Sequence, residues 1–167
     1  MAEFDPVALL RVLTVHEVEF VVVGGVAARL RGAPLLTQDV DITPAGTDDN
    51  LERLATALEH LEARLRTKPE PEGVPFPLDP NLLKSGKVWT LTTRHGDLDL
   101  VMSPAGTTGY SDVIRDADSI MVARDPDLHV MVASLIDVIR SKQATGREKD
   151  LAALPLLRRT LAASEDV

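Results

Sequence analysis

Two pairs of aspartates, each with one residue between its members, are the side chains in this sequence best placed to do chemistry. Asp39 and Asp41 lie in "QDVDIT", and Asp97 and Asp99 lie in "GDLDLV". Residues two apart in a β-strand point to the same face, so each pair would place its carboxylates side by side. Like charges so placed repel each other unless a cation lies between them. Mg²⁺ or Mn²⁺, bound by carboxylates and substrate phosphates, would suit such a site.

The two pairs suggest different roles. Val40 and Ile42 alternate with the first pair and predict a strand whose apolar side faces the core. Asp99 lies between two leucines, and it could complete a metal site or deprotonate an attacking hydroxyl. Asp97 follows Gly96 and is expected at the rim of the site. Without a cation, the alternatives are a solvated acidic strand for the first pair and a charged hairpin for the second.

Gly24 and Gly25 follow the apolar run "FVVV" and precede a short helical pattern. A strand that runs into a helix directs backbone N–H groups and the positive end of the helix at one point, which favours anions. Glycine lets a phosphate approach the backbone without meeting a Cβ atom. A tight strand-to-helix turn that binds nothing is the alternative, because so short a motif is weak by itself.

Lys142 and Arg147 lie near the C-terminal end of the sequence, in "RSKQATGREKD". The chain has a net charge of −8, so it would need a local patch of positive charge to bind a triphosphate. Both residues are candidates for contacts with phosphate. The alternative is that they lie on a helix face that only meets water.

Composition narrows the classes of function. The acidic balance argues against a broad nucleic-acid-binding face, and aromatic residues at 3% argue against a base-stacking platform. Cysteine is absent, which excludes disulfides, cysteine-bound zinc and a thiol nucleophile. No signal peptide or apolar membrane-spanning stretch is visible, so a cytoplasmic protein is expected.

Hydrophobic periodicity and turn residues predict the elements that would position these side chains. The pattern predicts an α/β domain with a C-terminal helical portion. We expect a single domain, with a core at about 1–125 and C-terminal helices at about 134–164. The predicted elements are a helix from Asp5-Pro6 to about His16, strands at "FVVV" and "QDVDIT", short helices at "VAARLR" and "SDVIRDA", a helix at "NLERLATALEHLEARLR", a proline-rich loop at 67–80, strands either side of His95-Gly96, a strand at "SIMVA", a strand or helix approach at "LHVMVA", a helix capped by Ser134, and a last helix with a kink or restart near Pro155.

Together the motifs resemble the DNA polymerase beta-like nucleotidyltransferase superfamily. Its signature is a Gly-Gly or Gly-Ser pair, a spacer of this size, and then Asp-apolar-Asp/Glu-apolar. Here thirteen residues separate Gly25 from Asp39. The C-terminal stretch is similar to the small bacterial AbiEii and MenT toxin-like group, in which a lysine precedes an Arg-x-Lys-Asp motif; the matching residues are Lys142, Arg147, Lys149 and Asp150.

The resemblance implies a nucleotidyltransferase fold, in which a mixed sheet is flanked by helices, and an NTP-dependent enzyme that releases pyrophosphate. Asp39, Asp41 and Asp99 would be catalytic and hold Mg²⁺ or Mn²⁺. Gly24, Gly25, Thr37, Lys142 and Arg147 would bind nucleotide or phosphate. The acceptor could be tRNA, a protein hydroxyl or a small molecule of the aminoglycoside type, and a cognate antitoxin is a possible partner. The alternative is a non-catalytic nucleotide- or partner-binding domain of the same fold.

Overall fold

In a computed structural model, residues 2–166 are described, and they form one mixed sheet flanked by helices, with a helical segment at the C-terminal end. The predicted mixed α/β fold is therefore confirmed. The strands are β1 Phe20–Val23, β2 Asp39–Pro44, β3 Arg64–Leu65, β4 Val88–Thr93, β5 Gly96–Val101, β6 Asp118–Ala123 and β7 Leu128–Val132. The helices are α1 Pro6–Val15, α2 Gly24–Leu30, α3 Asp48–His60, α4 Pro80–Ser85, α5 Tyr110–Val113, α6 Leu135–Thr145 and α7 Glu148–Glu165.

The strand order β3-β4-β5-β2-β1-β7-β6 determines which side chains become neighbours. Strand β2 lies between β1, with which it is antiparallel, and β5, with which it is parallel. Strand β1 is also parallel to β7, so all four of its residues are buried at the centre of the sheet. This explains why β1 is an unbroken apolar run, whereas the flanking β2 and β5 alternate between buried and partly exposed residues.

Helix α1 begins where the sequence predicts. The Asp5 side chain accepts a hydrogen bond of 3.0 Å from the backbone N–H of Ala8, and Pro6 occupies the first helical position. Leu9, Leu10 and Leu13 are buried in the core at helical spacing. The helix therefore forms because the capping residues fix its start and the apolar stripe packs against the core.

Helix α3 ends earlier than predicted, at His60 rather than near residue 66. Glu62 adopts a left-handed conformation with φ 53°, and the backbone N–H of Ala63 donates to the carbonyl of Leu58. The chain then turns so that Arg64–Leu65 pair with β4. Strand pairing thus replaces the last helical turns that the apolar spacing predicted.

The proline-rich segment is a loop, as predicted, and one short helix follows it that was not predicted. Asp79 caps α4 through its side chain, and Pro80 begins the helix, the same signal as at Asp5-Pro6. The indole N–H of Trp89 donates to the carbonyl of Leu83 at 3.0 Å, and its ring stacks on Phe76. These contacts fasten the loop and α4 against the edge of β4.

The C-terminal helices α6 and α7 pack against each other. Ser134 caps α6 by accepting a hydrogen bond from the backbone N–H of Asp137, as predicted. Gly146 ends α6 with φ 67°, and α7 continues through Pro155 as one helix, so the predicted restart there is wrong. Within residues 2–166, none of the helices combines the length and apolar character needed to cross a membrane.

Candidate functional site

The glycine turn lies directly against the aspartates of β2. Helix α2 begins at Gly24, immediately after β1, without a side-chain cap for its first N–H groups. Gly24 has φ 65°, and a Cβ atom there would collide with the Asp41 carboxylate. A Cβ atom on Gly25 would lie 3.1 Å from the Thr37 hydroxyl oxygen. The glycine pair therefore allows the backbone to approach the aspartates closely, in addition to making the turn.

Strand β2 presents its two aspartates on one face and buries the residues between them. Val40 and Ile42 have no exposed surface. The Thr37 hydroxyl donates to the backbone carbonyl of Asp39 at 3.0 Å and lies 3.3 Å from its carboxylate oxygen Oδ1. Thr37 thus contacts both the glycine turn and the first aspartate.

The parallel pairing of β2 and β5 brings the two aspartate pairs together. Asp39 is opposite Asp97, and Asp41 is opposite Asp99. Carboxylate oxygens of Asp39, Asp41 and Asp99 all lie within 4.8 Å of one another. The three residues predicted as metal ligands therefore meet at one point, while Asp97 is not part of this group.

Burial and mutual repulsion perturb the ionisation of these aspartates. Burial, the charges of Asp39 and Asp99, and a hydrogen bond with Asp99 raise the pKa of Asp41 from 3.8 to about 7, although Lys142 acts in the opposite direction. Burial and the charge of Asp39 raise the pKa of Asp99 to about 6, against the lowering effect of Arg66. Without a cation, the cluster is therefore partly protonated near neutral pH.

A divalent cation fits this cluster. The three oxygens lie within 4.8 Å of one another, and opposite ligands of an octahedral Mg²⁺ ion lie about 4.2 Å apart, or twice the usual bond length of ~2.1 Å. Carboxylates are the hard oxygen ligands that Mg²⁺ and Mn²⁺ prefer. A cation would also offset the burial and the mutual repulsion that together raise the pKa values of Asp41 and Asp99.

The helical wall of the cleft carries the predicted phosphate contacts, but they are already paired. Arg147 Nε lies 2.7 Å from Asp150 Oδ2, and Lys142 Nζ lies 3.4 Å from Asp150 Oδ1. Asp150 is only 2% exposed. Burial opposes its ionised form, yet the hydrogen bonds and charges of Arg147 and Lys142 lower its pKa below the ordinary value. The Lys142 side chain is only 20% exposed, whereas that of Arg147 is 60% exposed, so the alternative of a helix face that meets water still describes much of Arg147.

A single cavity of about 850 Å³ joins these features. Its lining includes all eight predicted site residues: Gly24, Gly25, Thr37, Asp39, Asp41, Asp99, Lys142 and Arg147. Leu36, which is fully exposed, and Val88 also line it and give part of its wall an apolar surface. Residues from both ends of the sequence therefore share one cleft.

Sequence reasoning missed Arg66, which contacts two of the aspartates. Its guanidinium forms ion pairs with Asp97 and with Asp99, the latter at 3.3 Å between Nη2 and Oδ1. The apolar spacing of "LEHLEARLR" placed Arg66 within α3, and no residue nearby signals the turn at Glu62 strongly. Only the pairing of the segment with β4 brings Arg66 to the site.

Comparison with known proteins adds no family assignment, because no family model matches the chain and the search of curated proteins found no match to it. The nucleotidyltransferase resemblance thus stays a prediction that depends on the motifs themselves.

Proposed function

We propose that this chain is a metal-dependent nucleotidyltransferase that moves a nucleoside monophosphate from an NTP to a hydroxyl acceptor. The observation that carries the proposal is the meeting of Asp39, Asp41 and Asp99 within 4.8 Å. Their cluster lies against the glycine turn and shares one cavity with Lys142 and Arg147. An acidic cluster beside a glycine turn and two basic side chains suits a metal–triphosphate complex.

Each group has a distinct role in this proposal. The backbone N–H groups at Gly24 and Gly25 contact the phosphates, and Lys142 and Arg147 neutralise part of their charge. Asp39 and Asp41, with Asp99, would hold Mg²⁺ or Mn²⁺, which when bound supplies charge stabilisation to the phosphoryl group. The Thr37 hydroxyl restrains Asp39 through a hydrogen bond to its backbone carbonyl, and Thr37 lies beside Gly25 at the place where phosphate would bind.

The transfer itself conserves atoms and charge. The acceptor oxygen attacks the α-phosphorus, the bond from that phosphorus to the bridging oxygen breaks, and pyrophosphate leaves with that oxygen. The proton of the acceptor hydroxyl passes to a carboxylate oxygen of Asp99 that does not hold the cation. The protein thus contributes mainly position and electrostatic stabilisation, as in other phosphoryl transfers.

The acceptor is tRNA, a protein hydroxyl or a small molecule, and the toxin-like resemblance favours the first two. A cognate antitoxin would be a partner in that case. Net charge of −8 makes extensive contact with tRNA costly unless a partner supplies positive charge. These acceptors are distinguished by where a labelled nucleotide becomes attached.

The test is incubation of the purified protein with α-labelled NTPs, Mg²⁺ or Mn²⁺, and fractions of cell lysate containing RNA, protein or small molecules. We expect label in one fraction and release of pyrophosphate. Asp41→Asn should reduce both by at least about a hundredfold, because it removes a central charge from the site. Asp127→Asn, at an exposed aspartate in the β6–β7 turn, is the matched control and should transfer normally.

Two results would contradict the proposal. If Asp41→Asn transfers as fast as the unmodified chain, the aspartate cluster is not the active site. If NTP raises the melting temperature but no fraction takes up label and no pyrophosphate is released, the chain is a nucleotide-binding domain without this activity.

A further inference from the structure

Arg66 and Asp97 form a polar pair beside the aspartate cluster that the proposed reaction does not use. Arg66 follows β3, and its backbone N–H donates to the carbonyl of Thr90 on β4 at 2.9 Å. Thr90 is opposite Asp99 on β5, which in turn is opposite Asp41 on β2. Arg66 therefore stands in line with Asp99 and Asp41, on the side of Asp99 away from β2.

The guanidinium of Arg66 contacts the two same-face carboxylates of β5. One arm pairs with Asp97, and the other lies 3.3 Å from Asp99 Oδ1. The side chains of Arg66 and Asp99 are 22% and 20% exposed, so the contact between them is largely shielded from water. The guanidinium donates a hydrogen bond to Asp99 and places its charge close to Asp97, and its planar shape lets it reach both carboxylates at once, which the single ammonium of a lysine does less well.

The contact with Arg66 affects the orientation and the charge of Asp99, because of where Asp99 lies. The residue lies between Arg66 on one side and Asp41 on the other, and it meets the repulsion of Asp39 and Asp41 from β2. A free carboxylate there would rotate away from its neighbours or take up a proton. A fixed positive charge on the far side opposes both outcomes.

We propose that Arg66 is a positioning residue that holds Asp99 in the orientation required to bind the cation, and that Asp97 acts only by anchoring Arg66. This inference rests on the cation site proposed above. It explains why "GDLDLV" has two aspartates although only Asp99 joins the cluster of three. Binding of Mn²⁺ alone tests this inference, so neither the nucleotide nor the acceptor needs to be known.

The experiment is a titration of the metal-free protein with Mn²⁺, in which binding is measured by calorimetry or by the electron paramagnetic resonance signal of free Mn²⁺. Arg66→Gln should weaken Mn²⁺ binding by about tenfold or more, the usual effect of removing a group that orients a metal ligand. Arg66→Lys keeps the charge and should recover part of the affinity. Arg64→Gln is the matched control, because this arginine lies two residues away and binds only the carbonyl of Gly73.

The direction of the change separates the possible roles of Arg66. If Arg66 merely places a repelling charge near the cation, Arg66→Gln would bind Mn²⁺ more tightly, which would overturn the inference. If Arg66 only packs the sheet, the melting temperature would fall but the affinity would not change, and the inference would again be wrong. Should Arg66→Gln fail to fold, Arg66→Lys still tests the point through its loss of the two-carboxylate contact.

A double variant tests the role assigned to Asp97. Asp97→Asn should weaken Mn²⁺ binding in the unmodified chain but cause no further loss in the Arg66→Gln background. A further loss in that background would show that Asp97 acts on the cation directly and would refute its role as an anchor. If the unmodified chain binds no Mn²⁺, both this inference and the cation site fail. If it binds Mn²⁺ and Arg66→Gln binds equally well, only this inference fails.

Discussion

The two walls of the cleft hold their charges in opposite ways. On the sheet wall, Asp39, Asp41 and Asp99 crowd like charges together, and burial and repulsion raise the pKa of Asp41 to about 7. On the helical wall, Lys142 and Arg147 share the buried carboxylate of Asp150, whose pKa is lowered. One wall is electrostatically strained without a ligand, whereas on the other each charged group already has a partner and the two basic residues leave a net positive charge.

This difference indicates how each wall would respond to a ligand. The sheet wall gains stability when a cation arrives, because repulsion is replaced by attraction. The helical wall must give up part of its contact with Asp150 before Lys142 or Arg147 can bind phosphate. Cation binding is therefore expected to be favoured by the fold itself, whereas phosphate binding requires an exchange of partners.

The largest expected effect is a loss of stability when Asp150, on the helical wall, is replaced. Asp150→Asn removes the buried carboxylate and leaves Lys142, which is only 20% exposed, without its partner. We expect the free energy of unfolding at pH 7 to fall by about 2 to 3 kcal/mol, less than for a fully buried pair because Arg147 can turn toward water. Urea unfolding measures the change. An unchanged midpoint would mean that the helical wall is not held together by this carboxylate.

The next effect is on nucleotide binding, at Lys142. Lys142→Gln removes a charged donor to phosphate and should raise the KM for the NTP by roughly tenfold or more, with a smaller change in kcat. Arg158→Gln, in the same pair of helices but away from the cleft lining, is the control. Equal KM values for Lys142→Gln and the unmodified chain would remove Lys142 from the phosphate site.

The smallest effect concerns the pH dependence of the sheet wall. Because the pKa of Asp41 in the folded protein lies above its ordinary value of 3.8, its contribution to stability is fully present below about pH 4. That contribution is lost as the pH rises through about 7. Asp41→Asn should therefore melt a few degrees higher than the unmodified chain at pH 8 without metal, and the gap should narrow toward pH 5.

Thermal melts at several pH values with and without Mg²⁺ measure this difference. Mg²⁺ should raise the melting temperature of the unmodified chain and leave Asp41→Asn unchanged. A variant that melts lower than the unmodified chain at pH 8 would contradict the electrostatic strain inferred for this wall.

The sequence was informative about the site wherever its geometry is local. The alternation around Asp39 and Asp41 predicts a common face within one strand, and β2 has that face. Gly24 and Gly25 predict a tight junction between strand and helix, and α2 begins there. The same local signals at Asp5-Pro6 correctly predict the start of α1.

Features of the site that depend on strand order could not be predicted from local sequence patterns. The closeness of Asp99 to Asp41 requires β5 to lie parallel beside β2, which no local pattern specifies, so the expectation that Asp99 joins the other two aspartates depended on the family resemblance. The apolar spacing of α3 continues through the segment that contains Arg66 and predicts a helix there. Pairing of this segment with β4 gives it an extended conformation instead. The pairing of Lys142 with Asp150 likewise depends on how α6 packs against α7, whereas Arg147 and Asp150 are three residues apart and pair at the start of α7.

The central claim is that Asp39, Asp41 and Asp99 bind a divalent cation, and a Mn²⁺ titration of three proteins tests it most directly. The unmodified chain and Asp127→Asn should bind Mn²⁺ with the same affinity, whereas Asp41→Asn should show no saturable binding. Equal binding by Asp41→Asn, or no binding by the unmodified chain, would contradict the account.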